Sequence, residues 1–461
     1  MTPENSNMAN RDIATPESKA VPAFTRTTEN DCRLASLPRP VKVLWALSVM
    51  TFGLSLAVAT WGRYAGFPQT RWNPLSDPLL GDLMEYPGTY CLLHTINFFQ
   101  KPSMTVFPER MFSAVAYPPF AAVVLAPIYC LGSPVWNFLC LAAFGLTTAI
   151  WLVGRALYRA GLSATSATLL PLSLALFSFP VQRLVHQGNI ELVVWAFTMA
   201  GTWAFLRNKH YTAATFWTLA GSMKLYPLVL LLLLLPRRQY RAVLLGGGLF
   251  LGASWLSLWW LGPTVAEAWR GSLRNVFGYQ TVRASEWSLR ELVANHSLFW
   301  LVKLQAQIAH ISPPALTLPY YACGASLMGW AFVTKLRRMP AANQVLGITA
   351  FMLLLPQVSY FHTLVHLYAP LLILVFVALR AHHAHTQVRG LQGTMLLCVF
   401  LLTPYTLLTF PHAFLFCGLL QSLALVILFL CALEFPFAEL EEFTAPLGVV
   451  ARQTDLGPPS E

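Results

Sequence analysis

Residues 77–119 read DPLLGDLMEYPGTYCLLHTINFFQKPSMTVFPERMFSAVAYPP and form the longest polar interval before residue 262, between two strongly apolar segments. Four of the 19 acidic residues of the chain fall within it: Asp77, Asp82, Glu85 and Glu109. Aromatic rings and prolines are also frequent here, which suits amphipathic helices in a membrane interface better than a solvated linker. The stretch therefore predicts a functional loop at a membrane surface.

The composition around this loop is that of a membrane protein. Of 461 residues, 56% are hydrophobic and 11% are charged, and the mean hydropathy is +0.55. Soluble domains carry about 25% charged residues, and several apolar runs here approach the ~20 residues that cross a bilayer. We therefore expect an all-α polytopic membrane protein.

The formal net charge of +11 fits the same architecture. Lys and Arg cluster in short linkers between apolar runs, where the positive-inside rule places them in the cytoplasm, so no nucleic-acid partner is expected. The first span is expected at about Val41–Trp61, with Arg33, Arg39 and Lys42 holding the N-terminus in the cytoplasm. The 77–119 loop is then external.

Charge and hydropathy divide the chain into a disordered cytoplasmic tail over 1–40, a transmembrane domain over 41–433 and an acidic cytoplasmic tail over 434–461. External loops are expected near residues 62–113, 182–189, 262–314 and 357–363. The third loop has an excess of arginine that opposes the positive-inside rule, and its Ser297–Ile311 portion is typical of an interfacial helix.

Two apolar segments, Ala114–Leu131 and Ala213–Leu235, would each need both ends on one side of the membrane. The second is interrupted by Lys224-Leu225-Tyr226-Pro227 into two pieces of about 11 residues, each too short to cross alone at 1.5 Å per residue. Broken helices are tolerated in a membrane where they line a cavity inside the protein. Both segments are therefore predicted to be walls of an internal site.

The first loop offers three carboxylates as a general base. Asp82 lies four residues before Tyr86, so the two share one face of a helix, and a base held near the interface is one interpretation. A solvated acid or a helix N-cap is the other. Asp77 precedes Pro78 and is typical of a turn, while Glu85 is a further alternative.

A second group of polar residues, Arg183 and His186-Gln187-Gly188-Asn189-Ile190-Glu191, lies at the outer end of an apolar run. A carboxylate at the hydrocarbon edge is costly unless paired, so Glu191 needs a partner, with Arg183, His186 and Lys224 as candidates. Such a pair could also be purely structural. Lys224, inside an apolar segment, indicates a functional site unless it snorkels to the interface.

His362 follows a short apolar run on the outer side, and His366 comes four residues later. The pair could ligate a metal, but no third ligand has a convincing spacing. The eight cysteines contain no CxxC pattern and mostly lie in apolar runs, as expected of small hydrophobic residues. No metal is expected, and His362 is interpreted as a hydrogen-bond donor to phosphate.

Taken together, these motifs resemble the GT-C glycosyltransferases that use polyprenyl-phosphate sugars, and above all glycosyltransferase family 87, which includes bacterial α-1,2-mannosyltransferases. The resemblance spans about Val41 to Leu379. It rests on the loop residues Asp82 and Tyr86, Tyr117-Pro118-Pro119 with Ala126-Pro127, Gln187-Gly188-Asn189, Lys224-Leu225-Tyr226-Pro227, and Ser359-Tyr360-Phe361-His362 with Ala369-Pro370.

The resemblance implies a GT-C-like helical bundle in the inner membrane, with an external first loop, an external active site and broken helices around a cavity. It also implies transfer of a hexose, such as mannose, from a polyprenyl-phosphate sugar to a glycolipid or glycan acceptor, without a cofactor. Asp82 would be the base. The residues that would bind the donor are Lys224, His362, Arg183, His186, Asn189, Glu191, Tyr86, Tyr117 and Tyr226.

The chemistry agrees with this interpretation. A phosphate leaving group needs cations that stabilise its charge but no general acid, whereas a glycosidase needs a second carboxylate. Two other classes remain as alternatives: a secondary transporter or lipid flippase, and a non-catalytic membrane assembly protein. Broken helices and buried charge suit a transporter, but matched interrupted segments in two halves of the chain are not evident.

Overall fold

The computed structural model describes residues 39, 41–43, 45, 46, 50, 117–130, 134–261, 264–273, 295–383, 385–402 and 417–437. Within these residues the regular structure is helical, apart from one isolated antiparallel bridge between Asn295 and Tyr360. The fold is therefore all-α, as predicted. The longer α-helices are α1 (Pro119–Cys130), α2 (Pro134–Arg159), α3 (Ala164–Phe177), α4 (Phe179–Gln187), α5 (Glu191–Leu206), α6 (His210–Met223), α7 (Tyr240–Leu261), α8 (Phe299–Ile308), α9 (Thr317–Thr334), α10 (Ala341–Leu354), α11 (Tyr368–His383), α12 (Leu391–Leu402) and α13 (Cys417–Glu434).

Three of the described helical segments are long and apolar enough to cross a membrane: Trp136–Arg159, Tyr240–Trp260 and Phe361–His382. The most apolar window of the last is 78% buried inside the molecule, against 22% for each of the other two. A helix that is apolar on all sides and enclosed by other helices occupies the centre of a bundle, whereas an exposed apolar helix faces lipid. Phe361–His382 is therefore a central element.

A fourth candidate span is bent. Helices α3 and α4 pass the same test together but meet at an angle of 62°. Ser178 lies at the bend, where its hydroxyl accepts a hydrogen bond from the backbone N–H of Val181, and Pro180 stands at the start of α4. A capping serine and an early proline begin a new helix and prevent continuation of the preceding one.

The predicted break inside Ala213–Leu235 is confirmed. Helix α6 ends at Met223, Lys224 has extended backbone angles (φ −143°, ψ 130°), and a 3₁₀ segment begins at Tyr226. Pro227 accounts for this interruption, because its ring lacks an N–H donor and would clash with the carbonyl one turn earlier in a continuous helix. The side chain of Lys224 therefore projects from a gap between two helical pieces.

Helices α5 and α6 form a tightly packed antiparallel pair before this break. A Cβ atom at Gly201 would lie 2.5 Å from the ring of Trp217, which is fully buried. The absence of a side chain at Gly201 thus lets the indole pack directly against the α5 backbone, as small residues do at helix contacts in membranes. This packing fixes α5 relative to the end of α6.

Some predicted boundaries differ from the structure. Residues 182–187 belong to α4. Of the external loop expected at 182–189, only Gly188 and Asn189 therefore lie between helices. Residues 361–363 of the loop expected at 357–363 already belong to a 3₁₀ segment, Phe361–Leu367. The helix expected within Ser297–Ile311 is present as α8. The predicted 1–40 tail, except residue 39, and residues 438–461 lie outside the described residues.

Candidate active site

The turn between α4 and α5 places a carboxylate inside the bundle. Gly188 has a positive φ of 67° and ends α4, a conformation that glycine adopts without steric cost. The side-chain oxygen of Asn189 accepts a hydrogen bond of 2.9 Å from the backbone N–H of Glu191. Glu191 therefore stands in the first turn of α5, where the helix dipole favours a negative charge.

Three side chains surround the Glu191 carboxylate, which is fully buried. Lys224 Nζ lies 2.5 Å from Oε2, and His366 Nε2 lies 2.6 Å from Oε1. The hydroxyl of Tyr226 also donates to Oε1. Of the three candidate partners, the structure thus pairs Glu191 with Lys224, which meets the expectation that this buried charge is compensated.

Lys224 also connects the two segments that the sequence predicts as walls of the site; the first is a continuous helix, α1, with Pro127 inside it, and only the second is broken. Lys224 Nζ lies 5.0 Å from the centre of the ring of Tyr117, two residues before α1. A cation at this distance from an aromatic face is stabilised by the ring quadrupole. The Lys224 side chain is 12% exposed, whereas Glu191 is completely enclosed, so the lysine lies at the edge of the cluster and the carboxylate lies behind it.

His366 completes this group, which we call the ion cluster (Glu191, Lys224, Tyr226, His366). Besides Glu191, the His366 ring contacts the Tyr226 hydroxyl at 3.1 Å and the Thr198 hydroxyl at 3.0 Å. Sequence reasoning considered His366 only as a possible metal ligand with His362. A second signal was available, because an ionisable residue within an apolar segment is itself an indication of a site.

His362 lies in the same 3₁₀ segment and is buried, with 8% of its surface exposed. It is close enough to Lys224, Glu191 and Arg183 for their charges to act on its ring. A 3₁₀ helix has three residues per turn, so His362 and His366 do not share one face as they would in an α-helix. His362 is therefore placed near the ion cluster without a hydrogen bond to it in the structure.

Five of the predicted site residues have side chains outside the part of the chain that the structure describes. His186 lies in α4, but its side chain is outside the described residues, as are Asp77, Asp82, Glu85 and Tyr86. Their assignments as base or donor-binding residues stay predictions.

A second buried polar group joins the segment before α8 to residues 357–363. Asn295 accepts hydrogen bonds from the backbone N–H groups of Ser297 and Ser359 and donates to the carbonyl of Gln357, at 2.9–3.0 Å. The His296 ring contacts the hydroxyls of Ser359 at 2.8 Å and Thr363 at 3.2 Å. We call Asn295, His296, Ser359 and Thr363 the polar clamp; sequence reasoning missed the roles of Asn295 and His296.

The two groups differ in electrostatics. Burial lowers the pKa of His296 from 6.5 to about 3, because the charged imidazole loses its hydration in the interior. The ring is therefore neutral and fits a structural network of hydroxyls and amides. The ion cluster instead holds a lysine at its edge, an arrangement that can stabilise the negative charge of a bound anion.

Comparison with known proteins gives one family. The model for glycosyltransferase family 87 matches residues 116–356, a range that includes Tyr117, Glu191, Lys224 and Tyr226. Neither the search of curated proteins nor the search of solved structures returned a match.

Proposed function

We propose that this chain, which belongs to glycosyltransferase family 87, transfers a hexose, with mannose as first candidate, from a polyprenyl-phosphate sugar to a hydroxyl of a lipid-linked or envelope glycan. Family membership and the apolar helices make it a membrane glycosyltransferase. The identity of the donor, the sugar and the acceptor is the proposal.

The observation that carries the proposal is the position of Lys224. It lies in a break between two helical pieces, with Glu191 on one side and the Tyr117 ring nearby. An aromatic ring beside a cation suits a site that receives both a sugar face and a phosphate. The Glu191 carboxylate holds the ammonium group in one orientation, so little reorganisation is required when charge develops on a leaving phosphate.

The proposed reaction is a single displacement at the anomeric carbon. The acceptor oxygen forms a bond to this carbon while the bond to the phosphate oxygen breaks, and the phosphate leaves with the electron pair. The acceptor proton passes to a carboxylate, for which Asp82 is the candidate, with Asp77 and Glu85 as alternatives. Direct displacement inverts the anomeric centre, so a β-linked donor gives an α-linked product.

The proposed location is the inner membrane, with the site open to the external face. The distribution of Lys and Arg in the sequence supports this orientation. A polyprenyl donor is itself a membrane lipid, and its phosphate lies at the edge of the hydrocarbon region. A site beside a broken apolar segment suits a ligand at this depth.

The test is a transfer assay with purified protein, a membrane lipid extract as acceptor and labelled polyprenyl-phosphate mannose, glucose or arabinose as donor. Transfer from one of these donors, with mannose first, is expected. A matched reaction with nucleotide-linked mannose is the control. Transfer from the nucleotide sugar, without transfer from any polyprenyl-phosphate sugar, would contradict the proposal.

A further inference from the structure

Five basic side chains lie in two linkers, one between α5 and α6 and the other between the 3₁₀ segment Tyr226–Leu234 and the first turn of α7. Residues 192–266 contain no Asp or Glu. Within the described part of the chain, none of the five forms an ion pair. Their charge is therefore available to an anion from outside the protein. We call these residues the basic patch: Arg207, Lys209, Arg237, Arg238 and Arg241.

The two linkers meet at the ring of Phe205, near the end of α5. The Arg237 guanidinium, from the second linker, lies 3.9 Å from the centre of this ring. The ring of His210, the first residue of α6, lies 6.4 Å from the same centre. Arg207 and Lys209 lie between Phe205 and His210 in the chain, so the cations of the first linker lie beside that of the second.

Arg237 is held in a fixed orientation. Besides its contact with Phe205, its Nη1 donates a hydrogen bond of 2.9 Å to the carbonyl of Leu233. A guanidinium has five N–H donors in a planar fork, and this shape matches the oxygens of a phosphate group. The other four cations of the patch are exposed. The patch thus combines one oriented guanidinium with four side chains that are free to approach the same anion.

The surface beside the patch has the character of a membrane boundary. Tyr240 is 58% exposed and Tyr211 is 51% exposed, and aromatic residues with a polar tip are enriched at the membrane interface. Further along α7, Leu244 is 74% exposed and Leu251 is 68% exposed. A soluble anion would leave this apolar surface uncovered, whereas the acyl chains of a phospholipid would cover it.

We propose that the basic patch binds the headgroup phosphate of an anionic phospholipid, with the acyl chains against the exposed face of α7. The cytoplasmic leaflet carries anionic lipids that attract basic segments, and the distribution of Lys and Arg predicts both linkers on that side. Helix α5 has 16 residues and extends about 24 Å, so this lipid lies at the opposite end of α5 from Glu191. The inference therefore does not depend on the donor in the proposed function.

The bound lipid braces the broken segment that carries Lys224. Helix α6 begins directly after the first linker, the 3₁₀ segment ends directly before the second, and Lys224 lies at the break between them. One headgroup that contacts both linkers connects the two outer ends of this segment. Because a ligand that binds only the folded state stabilises it, the lipid should raise the unfolding temperature.

The first test measures lipid binding to the full chain in detergent by native mass spectrometry. Phosphatidylglycerol is the anionic lipid, and phosphatidylcholine with the same acyl chains is the zwitterionic lipid. In Arg238→Gln/Arg241→Gln, binding of phosphatidylglycerol should be about 30-fold weaker, since each basic residue near a membrane surface contributes about a fivefold factor. Arg207→Gln/Lys209→Gln should lose a similar factor if both linkers hold one lipid. Binding of phosphatidylcholine should not change.

The matched control is Arg337→Gln/Arg338→Gln. It removes two exposed arginines from another basic linker, expected on the same side of the membrane, where Lys335 is already paired with Glu434 at 2.6 Å. The control should retain the wild-type affinity. Equal losses in the control and in the patch variants would show a non-specific attraction and overturn the proposal. Displacement of phosphatidylglycerol by an equal concentration of inorganic phosphate would show a soluble-anion site and also overturn it.

The second test measures thermal unfolding in nanodiscs of phosphatidylcholine with and without phosphatidylglycerol. The anionic lipid should raise the unfolding temperature of the wild type and of the Arg337→Gln/Arg338→Gln control, but not of Arg238→Gln/Arg241→Gln. Since the substituted side chains are exposed, a purely structural effect would not depend on the lipid. An equal rise in all three proteins would overturn the proposal.

Discussion

His366 and His296 are both buried, with 2% and 0% of their surfaces exposed, yet they lie in opposite electrostatic environments. The His366 ring lies against the carboxylate of Glu191 and belongs to the ion cluster. The His296 ring lies against two hydroxyls and belongs to the polar clamp. Burial alone therefore does not identify a functional histidine. The two histidines differ in the charge of their partners and in whether those partners reach a partly exposed side chain, as Glu191 does through Lys224.

The polar clamp and the ion cluster also differ in their exposure at the edge of the group. The Asn295 side chain of the polar clamp bonds three backbone groups and is 1% exposed, so the clamp fixes the chain path between two segments. The ion cluster ends in Lys224, which is partly exposed beside Tyr117. We therefore expect changes in the clamp to affect mainly stability and changes in the cluster to affect mainly transfer.

The largest effect on stability is expected for Glu191→Gln. The change leaves Lys224 and His366 without their buried anion, and removal of one partner from a buried ion pair costs about 3–5 kcal/mol. Unfolding in detergent, followed by denaturant titration, measures this loss. In the double variant Glu191→Gln/Lys224→Met part of the stability should return while transfer does not. Full recovery of transfer in the double variant would contradict a functional role for Lys224.

Lys224→Met tests the function of the lysine. Loss of a preorganised cation at a developing negative charge should lower turnover per folded molecule by roughly 10²- to 10³-fold. Because Glu191 also loses a buried partner, thermal unfolding measures the folded fraction alongside the transfer assay. The matched control is Lys335→Met, which breaks an ion pair with Glu434 whose side chains are 49% and 66% exposed. Such surface pairs contribute about 0–1 kcal/mol. If both variants had the same turnover, the assignment of Lys224 would be wrong.

Asn295→Ala tests the clamp. It leaves two backbone N–H groups and one carbonyl without their partner, and an unsatisfied buried polar group costs about 1–3 kcal/mol. The free energy of unfolding should fall by at least the cost of one such group, whereas turnover per folded molecule should change less than in Lys224→Met. A larger loss of turnover than of stability would place the clamp in the catalytic machinery.

At neutral pH the smallest effect is that of His296, because its charge acts on stability only in acid. The pKa of His296 is 6.5 in its ordinary state and about 3 in the fold, so between these values the unfolded chain binds a proton that the folded chain does not. Its stabilising contribution is present above pH 6.5 and is lost as the pH falls toward 3. The slope from this one proton is at most about 1.4 kcal/mol per pH unit. His296→Gln should flatten the acid side of the stability curve, and an unchanged slope would contradict the neutral assignment.

The sequence predicted several features of the site because their causes are local. Pro227 breaks the helix at Lys224 whatever surrounds it, and an apolar run indicates a span by length alone. The cost of an unpaired charge in hydrocarbon also predicted that Glu191 has a partner. The resemblance to glycosyltransferase family 87 is confirmed over residues 116–356.

The partners themselves required the tertiary structure. Glu191 and His366 are 175 positions apart, and Asn295 and Ser359 are 64 apart. No periodicity of the chain relates such positions, because their meeting depends on how α5, the broken segment and the 3₁₀ segment pack. The four-residue spacing of His362 and His366 would place both on one face of an α-helix. In the 3₁₀ segment that contains them, the two side chains do not share a face.

The sequence by itself thus determined an all-α membrane protein, the place of the helix break and the need to compensate Glu191, since these follow from hydropathy, proline geometry and the cost of burying charge. Only the tertiary structure decided that His366 shares the Glu191 carboxylate and that His296 lies among hydroxyls. Hydrogen bonds act over about 3 Å, and only the packed helices bring distant residues within that distance.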